Sequence, residues 1–178
     1  SNESNKAGIA QVVGIVNENA QKGKTTDVVG YSLGSQVSHG AIEQLQTQNK
    51  GGTPKGTRFV MLGAPSQPRD QYGQGGGALN NPLIGLGGNI IGTSLNTPAK
   101  GAENMVYVAN RSGDFWTNPN LGNLGATTTG DGHSYTQNKI KDAPVTKVGN
   151  INGASTLIIE NNAAPVKTTG KSQLLQQL

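Results

Sequence analysis

Apolar positions recur along the first 110 residues with two different spacings. Residues 4–20 and 32–48 carry them at the spacing of a helix with one buried face. Nearly continuous apolar runs at 27–31, 57–65 and 103–110 are typical of strands that are buried on both faces. The order helix, strand, helix, strand, strand predicts an α/β domain around a largely parallel sheet.

The segment between the second and third predicted strands, residues 66–101, is rich in glycine and has no firm period. Loops of this length are usually functional or mobile, so two interpretations stay open. One is a flexible surface excursion, and the other is a lid whose leucines and isoleucines contact a substrate. Residues 155–160 are a further strand candidate, and 161–178 have the composition of a polar tail or linker. We therefore predict one domain over residues 1–160.

Composition excludes several classes of function. The chain has 178 residues and a net charge of +4, but its Lys and Arg residues are scattered, which argues against a nucleic-acid-binding surface. It contains no cysteine and two histidines, which excludes disulfides and cysteine nucleophiles and argues against a His-rich metal site. No apolar run reaches the length of a membrane span, and no signal segment opens the chain.

Residues Gly30-Tyr31-Ser32-Leu33-Gly34 match the pattern G-x-S-x-G. A predicted strand precedes the motif and a predicted helix follows it, which is the context of a nucleophile elbow. The two glycines are expected to allow the close approach of strand and helix. The alternative is a glycine-rich turn with an inert serine. Two Gly-Lys-Thr/Ser tripeptides, at 23–25 and 170–172, lack the first glycine and the preceding strand of a phosphate-binding loop, so nucleotide binding is not predicted.

A nucleophilic serine in this fold needs an acid and then a histidine later in the chain. His133 is in the right order, whereas His39 lies seven residues after Ser32 in the following helix and is interpreted as structural, near the polar edge of that helix. Asp114 follows the third predicted strand and is the preferred acid. Asp131 stays an alternative, although its position two residues before His133 is more typical of a turn former.

Four segments together resemble the PE-PPE domain, a cutinase-related serine-hydrolase domain of mycobacterial proteins. In chain order they are VVGYSLGSQV, FVMLGAPSQPRDQYGQGGG, YVANRSGDFWTNP and GHSY. The resemblance implies an α/β-hydrolase-like, three-layer sandwich with a mostly parallel sheet. It implies Ser32 as nucleophile, Asp114 as acid, His133 as base and the Leu33 N–H as an oxyanion donor.

The same resemblance implies a reaction and a setting. Ester hydrolysis or acyl transfer on lipid or acyl-ester substrates would need no metal or organic cofactor, and the expected location is secreted or in an actinobacterial cell envelope. The family has strands before its first helix that complete the oxyanion hole. Because this chain opens at that helix, those N-terminal strands are expected to be missing, and three interpretations stay open: an upstream segment supplies them, a separate chain supplies them, or the protein is a reduced relative of the family. The competing hypothesis is a catalytically inactive structural or binding module, associated with a surface or particle.

Overall fold

The computed structural model describes residues 2–67, 76–80, 105–110, 113–119, 132–135, 145–151 and 154–160. Along the chain the elements are α1 (Asn2–Gln21), β1 (Thr26–Tyr31), α2 (Gly34–Gln48), β2 (Thr57–Leu62), a 3₁₀ turn (Ala78–Asn80), β3 (Met105–Ala109), β4 (Val145–Ile151) and β5 (Ala154–Glu160). Both predicted helices and all four predicted strands are present. Most of the glycine-rich segment and the whole of 161–178 lie outside the described residues, so the lid and the domain boundary at residue 160 stay predictions.

The strands form one sheet in the order β1-β2-β3-β5-β4. Strands β1, β2, β3 and β5 run parallel to one another, and the edge strand β4 is antiparallel to its one neighbour, β5. This arrangement confirms the α/β class and the mostly parallel sheet. Because the parallel strands all end at the same edge of the sheet, the loops after β1, β2 and β3 are brought together there.

The edge strand β4 was not predicted, because residues 145–151 are polar and poorly periodic. An edge strand packs on one neighbour only, so it needs no continuous apolar run. The sequence nevertheless carries a signal, since Asn152-Gly153 falls between β4 and β5. An Asn-Gly pair between two strand candidates is a strong hairpin signal.

The core fills one face of the sheet. Val16 of α1, Ile42 of α2, and Phe59, Met61 and Tyr107 of the sheet are all fully buried in it. On the opposite face of the sheet, the β1 side chains Val29 and Tyr31 are exposed. Within the described residues, the helices thus form a single layer on one side of the sheet, and two layers of the expected three-layer sandwich are described. Neither of these helices has the length and hydropathy needed to cross a bilayer.

Candidate active site

Ser32 lies on a tight turn between the end of β1 and the start of α2. Its φ is +54°, a left-handed conformation that costs a non-glycine residue about 1–3 kcal/mol. Three hydrogen bonds of Ser32 hold the turn: its N–H donates to the Leu62 carbonyl (2.8 Å), and its carbonyl accepts from the Ser35 hydroxyl (2.5 Å) and from the Ser35 N–H (3.1 Å). The motif therefore forms the strand-turn-helix geometry that the sequence predicted.

The two glycines of the motif have different roles. A Cβ on Gly30 would lie 2.7 Å from the Ser38 Oγ and 2.9 Å from both the Gly34 carbonyl oxygen and the Ser35 Cα. A Cβ on Gly34 would meet no heavy atom within 4 Å outside the adjacent backbone of its own helix. The expectation that both glycines permit the close approach is thus correct for Gly30 and wrong for Gly34, because Gly30 of β1 lies against the first turn of α2, whereas Gly34 is the first residue of α2 and its Cβ position is open.

The structure brings Ser32, Asp114 and His133 together in a continuous hydrogen-bonded row. The imidazole Nε2 of His133 lies 2.8 Å from the Ser32 Oγ, and its Nδ1 lies 2.7 Å from the Asp114 Oδ2. Because a carboxylate can only accept, Nδ1 carries the proton and Nε2 is left to accept from the serine hydroxyl. The Asp114 side chain is fully buried and that of His133 is 12% exposed, so the row is screened from water up to the hydroxyl.

Three donors converge on the Asp114 carboxylate. His133 Nδ1–H and the Tyr135 O–H both donate to Oδ2, at 2.7 Å and 2.5 Å, and the Trp116 N–H donates to Oδ1 at 2.9 Å. Burial raises the pKa of Tyr135, and the charge of Asp114 raises it further, so the phenol keeps the proton that it donates. Sequence reasoning missed the contacts of Tyr135 and Trp116 with Asp114; the Tyr two residues after the histidine was the only signal.

Tyr31 covers the other side of the histidine. Its ring centroid lies 5.2 Å from that of His133 with the planes tilted by 31°, and its hydroxyl donates to the His133 carbonyl oxygen at 2.6 Å. Burial raises the pKa of Tyr31, with a smaller contribution from the charge of Asp114. The ring is nonetheless 51% exposed. It therefore anchors the histidine loop to β1 while also facing the solvent beside the serine.

Leu33 is the residue that precedes α2, with φ −63° and ψ −20°. Within the described part of the chain its N–H donates no backbone hydrogen bond. An N–H at this position is available to an oxygen outside the protein, and the start of a helix favours negative charge. The role of this N–H as an oxyanion donor stays a prediction.

His39 is structural, as expected, but its placement differs from the prediction. It is fully buried, whereas the sequence placed it at a polar edge. Its Nε2 pairs with the Tyr107 hydroxyl at 2.7 Å and its Nδ1 with the Ser66 Oγ at 3.1 Å. The alternative acid Asp131 lies outside the described residues.

A strained serine between a parallel strand and a helix, joined through a histidine to a buried aspartate, defines an α/β-hydrolase-like domain. The family model for the PE-PPE domain matches residues 1–100 of the 178, and the chain belongs to this α/β-hydrolase-like family. PE-PPE domains are associated with mycobacterial cell-envelope proteins. The match includes Ser32 and ends before Asp114 and His133. No curated protein and no solved structure is significantly similar to this chain.

Proposed function

We propose that this protein is a serine esterase or lipase-like hydrolase, or an acyltransferase, that acts on acyl esters. Ser32 is the nucleophile, His133 the general base and Asp114 the residue that orients and stabilises the imidazole. The observation that carries the proposal is the unbroken row from the Ser32 Oγ through both imidazole nitrogens to a fully buried carboxylate. An inert turn would not require a strained serine that lies within hydrogen-bond distance of a histidine, which is in turn oriented by Asp114.

In the proposed reaction the Ser32 Oγ attacks the ester carbonyl carbon while its proton moves to the His133 Nε2. The carbonyl oxygen becomes an oxyanion, which accepts a hydrogen bond from the Leu33 N–H. When the tetrahedral intermediate collapses, the C–O bond to the alcohol breaks and the alcohol leaves with the proton from Nε2. Water, or a second alcohol in acyl transfer, then repeats the two steps on the acyl-serine. Asp114 stays ionised and stabilises the imidazolium at each stage.

The surroundings of the serine support an ester with an apolar acyl part. The neighbours of Ser32 in sequence, Tyr31 and Leu33, are both large apolar residues that are about half exposed. Exposed apolar side chains on either side of a nucleophile favour substrates with hydrocarbon rather than charged groups. Family membership supports a secreted or cell-envelope location in an actinobacterium for the same reaction.

The test is the hydrolysis of short- and long-chain p-nitrophenyl esters by the wild type and by three variants. Ser32→Ala and His133→Gln should each lower kcat by about 10⁴-fold or more, and Asp114→Asn should lower it by about 10⁴-fold. His39→Gln is the matched control, because it changes the other histidine and leaves the row intact. Activity in the wild type that survives Ser32→Ala would contradict the proposal. A folded wild type that hydrolyses none of the esters would favour the inactive-module hypothesis instead.

A further inference from the structure

Tyr135 has no role in the reaction as described, yet its hydroxyl donates a hydrogen bond to Asp114, one of the three residues of the Ser32–His133–Asp114 row. We propose that Tyr135 is a positioning residue, whose phenol O–H holds the Asp114 carboxylate in the orientation that accepts the Nδ1–H of His133. The proposal rests on the proposed function for its consequence in catalysis. Its structural part, that the phenol sets the Asp114–His133 hydrogen bond, does not depend on turnover.

The phenol links a backbone donor to the carboxylate. The Asn110 N–H donates to the Tyr135 oxygen at 3.0 Å, and the Tyr135 O–H donates to the Asp114 Oδ2 at 2.5 Å. A hydroxyl that accepts one hydrogen bond donates the next one more strongly. Because Asn110 directly follows β3, the position of the Tyr135 oxygen is tied to the sheet. The carboxylate is therefore fixed relative to the sheet through the phenol as well as through its own backbone.

Each oxygen of the carboxylate has a defined partner. The Trp116 N–H holds Oδ1, while Oδ2 is shared between the phenol and the imidazole. Without the phenol, His133 would be the one remaining donor to Oδ2 among the described residues, and the fully buried carboxylate would lose a hydrogen bond that stabilises its negative charge. Two titratable side chains contact Asp114 in the described residues, His133 and Tyr135, and the charge of Asp114 also raises the pKa of Tyr31. His133 already donates its Nδ1–H to Oδ2, so it cannot also take over the hydrogen bond of the phenol.

The ring of Tyr135 also fits closely between its neighbours. It meets the His133 ring edge-on, with centroids 5.8 Å apart and planes at 88°. A Cβ on Gly63 would lie 2.5 Å from the Tyr135 Cε2 and 2.9 Å from the His133 Cε1, so the backbone of Gly63 is packed against both rings. Tyr135→Phe keeps this packing and removes only the oxygen. It thus separates the hydrogen bond from the shape of the side chain.

The experiment compares Tyr135→Phe with Tyr107→Phe, which removes the hydroxyl of the other described buried tyrosine, away from the row. With p-nitrophenyl butyrate, Tyr135→Phe should lower kcat about 10-fold with KM within about twofold, as expected for the loss of a hydrogen bond to a charged group. Its pH–rate profile should also differ from that of the wild type, because the phenol no longer shares Oδ2 with the imidazole that acts as the base. Tyr107→Phe should change neither. A Tyr135→Phe protein with wild-type kcat and pH profile, or an equal change in Tyr107→Phe, would overturn the proposal.

A second measurement needs no activity. The Nδ1–H of His133 should give a low-field proton NMR signal, identified by its loss in His133→Gln. In Tyr135→Phe this signal should shift or broaden, and in Tyr107→Phe it should stay in place. If Tyr135→Phe does not fold, 3-fluorotyrosine at position 135 keeps the hydroxyl, makes it a stronger donor, and should shift the signal. An unchanged signal overturns the proposal, whereas a shifted signal in a protein without esterase activity supports it and counts against the proposed function.

Discussion

The close approach of β1 and α2 at Gly30 is the local feature on which the position of Ser32 depends. Replacing Gly30 by alanine adds one methyl group at a point where three atoms are nearer than 3 Å. Two of these atoms, the Gly34 carbonyl oxygen and the Ser35 Cα, belong to the backbone of the first turn of α2, so they cannot move away by a change of rotamer. Alanine at position 30 should therefore push the first turn of α2 away from β1.

The size of the effect follows from these contacts. Each backbone contact is 0.5 Å shorter than the 3.4 Å limit of ordinary contact, and overpacking of this kind costs about 1–3 kcal/mol. At Gly34 there is no such contact, and alanine is the better helix former by about 0.5–1 kcal/mol. The free energy of unfolding of Gly30→Ala should therefore be lower than that of Gly34→Ala by about 1 kcal/mol or more.

Urea unfolding of the two variants, followed by circular dichroism, measures the difference directly. Labelling of the folded protein by a fluorophosphonate should also be slower in Gly30→Ala, because the serine moves relative to His133. The two glycines are four residues apart in the same motif, so each variant is the control for the other. Equal stability of Gly30→Ala and Gly34→Ala would refute the reasoning, since it would mean that β1 and α2 do not meet at Gly30.

Two further predictions concern buried polar groups. The Asn110 side chain donates to the Gly132 carbonyl at 3.0 Å, and a carboxylate cannot donate this hydrogen bond. Asn110→Asp should therefore lower the free energy of unfolding by about 3 kcal/mol. A loss under about 1 kcal/mol in urea unfolding would contradict this donor role. Burial raises the pKa of both Tyr107 and Tyr135, so the stability they contribute is complete below the ordinary phenol pKa of about 10 and is lost as the pH rises above it. In an ultraviolet titration both phenols should ionise only as the protein unfolds, and their ionisation in the folded state near pH 10 would show that they are not buried in this way.

Two kinds of site residue could be predicted from the sequence: those that lie within one contiguous motif, and those whose residue type is rare in the chain or whose position follows a predicted strand. The elbow is contiguous, so its strand, turn and helix are all visible in a short stretch around Ser32. His133 could be found because the chain has only one other histidine, and Asp114 because it follows a predicted strand in the required order.

What could not be predicted depends on where distant segments pack. His133 and Tyr135 can share one carboxylate oxygen of Asp114 only if the loop after β3 packs against the histidine loop in one particular arrangement. The spacing of residues along the chain does not predict that arrangement. Gly30 and Gly34 are the same residue type in one motif. They differ in what a Cβ at each position would contact, and this depends on how β1 packs against α2. The burial of His39 follows from Tyr107 and Ser66, which come from two other segments.

The central claim is that Ser32 is an activated nucleophile, and the most direct measurement is its labelling by a fluorophosphonate, with the modified residue located by peptide mass spectrometry. The folded wild type should be labelled at Ser32, His133→Gln and Asp114→Asn should be labelled far more slowly, and His39→Gln should be labelled at the wild-type rate. A folded wild type that is not labelled, or labelling of Ser32 that does not depend on His133, would contradict it.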